Sequence, residues 1–175
     1  MTDFSSPVKI NAIRDGDRLS LVATDAERAA IAERLRLLAL DRLEAAVVLR
    51  KDGACVSVDG HVRAKVEQAC IATGEPVPEI IDEAVKLHFV PDLGSGNPDE
   101  EIELDEAELD TIFHDGREIA LGDALADTLS LALDPYPRSD GADEALRAAG
   151  VISEEEAGPF GGLAALKEKM EKGGN

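Results

Sequence analysis

The sequence predicts an α+β fold, with an antiparallel, barrel-like β-meander, a few packed helices and a flexible acidic C-terminal tail that ends in a short helix. Apolar and polar residues alternate with period two from Leu43 to Val90, which is typical of half-buried strands. Three turn signals divide this region into about four strands. They are Asp52-Gly53, Asp59-Gly60 and the Thr-Gly-Glu-Pro turn at 73–76.

Two strands and a helix precede the meander. The segments "PVKINAI" and "RLSLVAT" alternate in the same way and are separated by Asp15-Gly16. Thr24 is suited to cap the helix that follows, because Glu27 stands three residues later in capping-box spacing. This helix should bury Ile31, Leu35 and Leu38. A second apolar helical pattern, "REIALGDALADTLSLAL", ends at "DPYPR".

The charge of the chain is strongly negative and unevenly distributed. The net charge is −19, with 15 acidic and 12 basic side chains in residues 1–90 and 22 acidic and 6 basic in residues 91–175. Because Lys and Arg drive counterion release from RNA, this charge opposes non-specific RNA binding. An RNA contact would need a local basic patch or a basic protein partner. Aromatic residues make up only 3% of the chain, which argues against a protein that stacks bases on exposed rings.

The chain has room for one domain and a tail. We expect a single α+β domain at 1–137, a flexible acidic linker at 138–159 and a short amphipathic helix at 160–172. The N-terminus lacks the apolar core of a signal peptide and no stretch is long enough to span a membrane, so we expect a soluble, cytosolic monomer without membrane contact.

Cys70 raises the question of a metal site or a working thiol. It shares the apolar side of its strand with Val62, Ala64 and Val66, which favours a small packing residue with an ordinary thiol. Cys55 should lie far from it, so no disulfide is expected. The sequence lacks four ligands in zinc spacing and the common nucleotide-binding and hydrolase motifs. We therefore expect no catalytic residue, metal, cofactor or small-molecule substrate.

A basic patch is expected on the exposed face of the meander. If the turn at 73–76 is tight, Arg63 lies opposite Lys86 and His61 opposite His88, and repulsion between them invites an anion or an acidic partner. Alternatively, Glu67, Asp82 and Glu83 neutralise the patch, or a bulge changes the register. His114, beside Asp115, should lie in a turn. The candidate RNA- or partner-binding residues are His61, Arg63, Lys65, Lys86 and His88.

The C-terminal segment carries a second candidate surface. Phe160, Leu163, Leu166 and Met170 recur at helical spacing, and so short a helix needs a surface on which to dock. That surface belongs either to its own domain or to a partner, and Lys167 would suit an acidic or RNA partner. The candidate docking residues are Phe160, Leu163, Leu166 and Lys167.

Three stretches together resemble the bacterial YceD-like family, the large ribosomal RNA subunit accumulation proteins. They are "DGHVRAKVEQACIATGEPV", "LGDALADTLSLALDPYP" and "PFGGLAALK". Many family members have a C-x-x-C-[LM]-x-P stretch, and here Thr73 stands in place of the second cysteine. The resemblance implies a non-enzymatic factor that helps 23S rRNA accumulate and the large subunit assemble, through large-subunit rRNA, a basic ribosomal protein or another assembly factor. Alternatives are an acidic adaptor unrelated to ribosomes and a metal-dependent hydrolase or nuclease that uses the carboxylates of 99–110.

Overall fold

The computed structural model describes residues 2–92 and 111–151. Within these ranges the strands and helices follow one another as β1 (Thr2–Asp3), β2 (Val8–Lys9), a 3₁₀ helix (Ile10–Ala12), β3 (Asp17–Val22), α1 (Asp25–Leu35), β4 (Ala39–Asp52), β5 (Cys55–Ala69), β6 (Pro76–Pro91), β7 (Thr111–His114), β8 (Glu118–Ile119), α2 (Leu121–Ala132) and α3 (Ala142–Ala148). No helix in these ranges is long and apolar enough to cross a membrane.

The chain divides into two compact units, Met1–Gln68 with Pro78–Pro135 and Ala69–Val77 with Tyr136–Asn175. In the second unit, α3 occupies part of the 138–159 stretch that the composition assigned to a linker. Acidic residues in its first turn and Arg147 in its last suit the helix dipole, and Ala142 is buried. The acidic run at 99–110 and the predicted helix at 160–172 lie outside the described residues.

The main sheet is mixed and open. Its strand order is β1-β3-β4-β5-β6-β7, and β2 pairs with β8 in a separate two-stranded sheet. The α+β class is confirmed, but the barrel-like closure is wrong, because β1 and β7 lie at opposite edges. Both edge strands run parallel to their neighbours, whereas a pure meander would be antiparallel. β6 ends at Pro91 and β7 begins at Thr111. The segment between them has enough residues for the crossover connection that parallel strands require.

β4 and β5 form one long hairpin, so the predicted turn at Asp59-Gly60 is wrong. Asp59 and Gly60 pair with Val48 and Val47 inside the ladder, and Cys55 pairs with Asp52. The backbone conformation shows which Asp-Gly pair forms the turn, because a two-residue hairpin turn requires φ above zero at its glycine. Gly53 has φ 59° and forms the true turn, whereas Gly60 is not among the residues with positive φ.

Gly60 allows β5 to approach the backbone of β4 closely. A Cβ at this position would stand 2.1 Å from the carbonyl oxygen of Ala46 and 2.7 Å from Cα of Val47. Glycine inside a strand often marks such an approach. The absence of a side chain at Gly60 is therefore required by the packing of β4 against β5.

The core lies under the inner face of the sheet and includes α2. Leu43, Val58, Val62, Phe89 and further buried residues of the strands join Leu125 and Leu129 of α2 in one hydrophobic cluster. Leu131 of α2 is 88% exposed, contrary to its place in the predicted apolar pattern.

Helix α1 begins as the sequence predicted. Thr24 and Glu27 form the capping box, and Glu27 also accepts hydrogen bonds from the backbone and hydroxyl of Ser5. Ile31 and Leu35 are half-buried against the core. Leu38 is exposed, so its predicted burial is wrong. The helix stops before it, because Arg36 takes the left-handed conformation at φ 57°.

Replacing Gly60 by alanine should destabilise the first unit, because the new methyl group meets backbone that cannot move without disturbing the ladder. Overpacking of this kind costs about 1–3 kcal/mol. We expect a melting temperature about 5 °C lower, measured by circular dichroism. Gly141→Ala is the control, since nothing lies within 4 Å of a Cβ there. Equal melting temperatures for the two variants would contradict this account of Gly60.

Candidate partner-binding face of the sheet

The five predicted binding residues lie on one face of the sheet. His61, Arg63 and Lys65 of β5 are exposed and alternate with buried Val62 and Ala64. On β6, the exposed Lys86 and half-buried His88 alternate with the buried residues Val85 and Phe89. Period-two alternation thus brings these side chains to the surface opposite the core, as the sequence suggested.

The predicted register between β5 and β6 is wrong. Arg63 Nε donates to Asp82 Oδ2 at 2.9 Å, and Ser57 Oγ lies 2.9 Å from Nδ1 of His88. Arg63 is therefore not opposite Lys86, nor His61 opposite His88. The loop between the two strands causes this difference. β5 ends at Ala69, β6 begins at Pro76, and the N–H of Cys70 donates to the carbonyl of Glu75. The turn therefore lies between Cys70 and Glu75, which overlaps the predicted turn at 73–76 but is shifted towards the N-terminus.

This register places an acid between two of the predicted cationic residues. Asp82 binds both Arg63 and His61 Nδ1, the latter at 3.1 Å. The hydrogen bond from Arg63, followed by its charge, lowers the pKa of Asp82, so this carboxylate stays ionised. Asp82 therefore neutralises this part of the patch, as one of the alternatives from the sequence had it.

Lys65 is likewise paired. Its Nζ donates to Asp41 Oδ2 at 2.8 Å, and this hydrogen bond, with the charge of Asp41, raises the pKa of Lys65. Two further pairs on β4 and β5 join Arg42 to Glu44 and Arg50 to Asp59. His61, Arg63 and Lys65 are thus all paired with carboxylates. Lys86, by contrast, makes no ion pair with any residue in the described ranges.

A shallow groove crosses this face over β3, β4 and β5. Two depressions of about 250 and 340 Å³ share Ser20 and Ala46, which pair across the strands. Arg18 lines one depression, and His61 and Arg63 line the other. Charged side chains of both signs, among them Arg63 and Asp59, line the groove. In the described part of the chain, no cluster of three or more His, Cys, Asp or Glu side chains could hold a metal ion.

Sequence reasoning missed Phe113, which continues the same face onto β7. In the parallel pair of β6 and β7, His88 is the partner of Thr111 and Val90 is the partner of Phe113. Paired residues of neighbouring strands share a face, so Phe113 lies on the side of His88. Alternation in "TIFH" was the available signal, but the segment is short and follows a long acidic run.

His114 has a structural role at the end of β7. Its side chain is buried, Nε2 lies 3.0 Å from the carbonyl of Ala54, and Nδ1 accepts from the N–H of Gly116. These contacts assign the proton to Nε2. Asp115 accepts from the N–H groups of Arg117 and Glu118, which lowers its pKa. His114 is the last residue of β7, so its predicted place in a turn is wrong, and the chain bends only after Asp115.

Cys70 belongs to a polar network in the second unit. It is 3% exposed, and its Sγ accepts from Ser139 N at 3.3 Å and from Ser139 Oγ at 3.4 Å. Thr73, in the position of the second family cysteine, lies 3.2 Å from Ser139 Oγ, and a carboxylate oxygen of Glu75 lies 3.1 Å from the Thr73 hydroxyl and 3.0 Å from that of Ser139. The predicted burial of Cys70 is confirmed, and both cysteines are free in the structure.

The expectation of an ordinary thiol at Cys70 is wrong. Hydrogen bonds from the hydroxyl and then the N–H of Ser139, with a smaller one from Thr73, lower its pKa from 9.0 to about 6. Sequence spacing could not show this, because Ser139 lies 69 residues further along the chain.

Cys70 should titrate near pH 6 in the folded protein, and Ser139→Ala should return its pKa toward 9. Because folding lowers this pKa, the thiolate stabilises the fold above pH 9, and that contribution is lost as the pH falls to 6. Thiolate absorbance in a Cys55→Ser background measures the pKa. Cys70→Ala serves as the blank. A titration near pH 9 without the Ser139 substitution would contradict the network.

Comparison with known proteins addresses the family of the chain. No curated protein and no solved structure matched it. A family model described as "Large ribosomal RNA subunit accumulation protein YceD" matches residues 58–167. The match extends over most of β5, all of β6 and the helices that follow, and it includes Cys70, Thr73 and Phe113. Since it covers more than half of the sequence, the chain belongs to the YceD family of large ribosomal RNA subunit accumulation proteins.

Proposed function

We propose that this protein is a non-enzymatic factor that supports the accumulation and processing of 23S rRNA and the assembly of the large ribosomal subunit. The observation that carries the proposal is the family match over residues 58–167. The description of that family concerns rRNA accumulation, which is the work of a biogenesis factor. Such a role would be performed in the cytoplasm, where ribosomal subunits assemble.

The exposed face of the main sheet is the binding surface in this proposal, through His61, Arg63, Lys65, Lys86 and His88. Arg63, His61 and Lys65 each contact a carboxylate, so the face displays paired charges of both signs. An RNA backbone would have to compete with these carboxylates for the cations, against a net charge of −19. These features favour contact with a ribosomal protein or assembly factor over direct contact with RNA.

The C-terminal segment forms the second part of the proposal. Its apolar residues and Lys167 lie outside the described residues, and their support is the helical spacing in the sequence. We assign them to docking on a partner, because the family match extends through residue 167 and so includes them. The docking residues are Phe160, Leu163, Leu166 and Lys167.

Depletion of the protein from its host should lower 23S rRNA relative to 16S rRNA. The tagged protein should co-sediment with immature large subunits. Purified protein with magnesium should leave a 23S precursor intact, because the proposal assigns it no catalytic role. A normal rRNA ratio together with absence from the particles would contradict the proposal, and cleavage of the precursor would favour a nuclease.

Replacing Arg63 and Lys86 together by glutamine should lower co-sedimentation with immature subunits roughly fivefold, since contacts at the binding face are lost. The salt dependence of any RNA binding by the purified protein should stay unchanged, because these cations do not release counterions from RNA in the proposed mode.

The matched control is Arg34→Gln with Arg36→Gln. It also removes one cation that is ion-paired, Arg34, and one that makes no ion pair among the described residues. Co-sedimentation should stay normal in this control. A flatter salt dependence in the Arg63 and Lys86 variant would instead assign the face to direct RNA binding.

A further inference from the structure

Two exposed cations without ion pairs stand at the small sheet of β2 and β8. The side chains of Lys9 and Arg117 make no ion pair or hydrogen bond within the described ranges. Many other cations of this compact unit are paired with carboxylates, namely Arg28, Arg34, Arg42, Arg50, Arg63 and Lys65. The charges of Lys9 and Arg117 are therefore available to a ligand.

Hydrogen bonds fix the backbone that carries these two residues. Lys9 pairs with Glu118 across β2 and β8. The N–H of the buried Ile10 donates to the carbonyl of Arg117 at 3.0 Å, and the N–H of Arg117 donates to Asp115 Oδ1 at 2.9 Å. The main chain thus holds the two cations on neighbouring segments. A ligand would not have to order the backbone in order to bind them.

A depression of about 370 Å³ lies at the same place. The residues that line it are Lys9, Asn11, Gly116, Arg117 and Glu118. A guanidinium group binds phosphate through two parallel hydrogen bonds, and an ammonium group binds it as a point charge. The amide of the exposed Asn11 can donate to an oxygen of the same ligand. This combination of donors suits a phosphate group.

Lys51 adds a third cation at the 3₁₀ helix beside the depression. Its Nζ donates to the carbonyl of Ile10 at 2.6 Å. This carbonyl leaves the positive charge in place, and two of the three N–H donors of the ammonium group remain after the bond. The carboxylate of Asp15 accepts from the backbone N–H of Lys51 and makes no ion pair with its Nζ. Lys51 therefore adds to the positive charge near Lys9 and Arg117.

Two carboxylates near these cations compete only partly with a ligand. Glu118 lines the depression but makes no ion pair with Lys9 or Arg117. Asp115 is bound to the backbone, and the N–H groups of Arg117 and Glu118 lower its pKa more than the charge of Arg117 does. More distant acidic residues act weakly, because physiological salt screens charges beyond about 8 Å. Two cations thus outnumber one carboxylate along the depression.

We propose that Lys9 and Arg117, with the depression that they line, form a binding site for the phosphate backbone of RNA. This proposal rests on the proposed function, to which it adds direct contact with RNA through residues outside the exposed face of the main sheet. The family description names ribosomal RNA, which is a phosphate polymer, and this favours RNA over an acidic protein as the occupant.

Fluorescent oligouridine is the probe, and its binding to the full-length protein is measured by anisotropy over a range of salt concentrations. Lys9→Gln with Arg117→Gln should weaken binding about tenfold, because two phosphate contacts are lost. The slope of log K against log salt should become shallower by about 1.4, since each contact with a single strand contributes about 0.7.

The matched control is Arg36→Gln with Arg147→Gln. Both arginines are exposed and make no ion pair in the parts of the chain that the structure describes, so this variant loses the same two charges elsewhere. Its affinity and salt slope should match those of the wild-type protein. Circular dichroism verifies that both double variants remain folded.

Glu118→Gln tests the site in the opposite direction. Removing the carboxylate that lines the depression should strengthen oligouridine binding about threefold. Glu33→Gln is its control, because it removes the same charge from an exposed position on α1 and should leave the affinity unchanged. A gain in affinity cannot result from unfolding.

Several results would overturn the proposal. They are no binding of oligouridine, binding that the Lys9 and Arg117 variant leaves intact, and an equal loss in both double variants, which would show a response to net charge alone. A polyglutamate peptide that binds more tightly than oligouridine through the same residues would assign the site to an acidic protein. Inorganic phosphate that binds as tightly as oligouridine would assign it to a small anion.

Co-sedimentation with immature large subunits distinguishes failure of this proposal from failure of the proposed function. If wild-type protein co-sediments but does not bind oligouridine, the RNA site is wrong and the proposed function stands. If wild-type protein binds oligouridine through Lys9 and Arg117 but does not co-sediment, the RNA site stands and the proposed function fails.

Discussion

The pairing of β4 with β5 is the constraint on which the rest of the molecule depends. Their ladder runs from the Asp52–Cys55 pair at the turn to the Ala39–Glu67 pair at the far end, with a register shift after Leu40. Because successive residues alternate between faces, this one register sends Val47, Val58 and Val62 to the core. It also sends Ala46, His61 and Arg63 to the exposed face. A slip of one residue would exchange the two faces.

Gly60 makes that ladder possible and also explains why the sequence was misleading there. An Asp-Gly pair between alternating runs usually indicates a hairpin, and the same pair at Asp52-Gly53 does form one. At Asp59-Gly60 the glycine is needed for a close approach between strands, which is a tertiary requirement. Local sequence does not distinguish these two uses of glycine. Alternation, by contrast, is local, and it correctly placed the five predicted residues on one face.

The remaining errors arise from contacts, both local and distant, that alternation does not reveal. The capping box of Thr24 and Glu27 spans three residues, and it was predicted correctly. The register of β6 depends on the Cys70–Glu75 closure, and the low pKa of Cys70 depends on Ser139. Neither contact leaves a periodic signal. Periodicity therefore predicted the fold class and the exposed face, but not the ion pairs that determine the charge of that face.

Those ion pairs show how a face with several cations is compatible with an acidic protein. Exposed ion pairs contribute little to stability, because solvent screens them, so Arg63–Asp82 and Lys65–Asp41 are poorly explained as supports for the fold. In the proposed function their effect is on recognition. Paired charges of both signs bind weakly to a uniform polyanion and can exchange partners with a protein surface of matching pattern. The register of β5 and β6 thus replaces the predicted basic patch by a surface that carries charges of both signs.

The open edge at β7 poses a physical problem that the charge of the chain resolves. An exposed edge strand with an aromatic side chain can pair with the same strand of another copy, which leads to association or aggregation. Two copies approaching through β7 would bring together two proteins of net charge −19, so repulsion opposes that pairing. The same field attracts a basic segment. The net charge of the protein therefore acts in both directions, since it disfavours the self-pairing that the strand geometry allows and favours a partner of opposite charge.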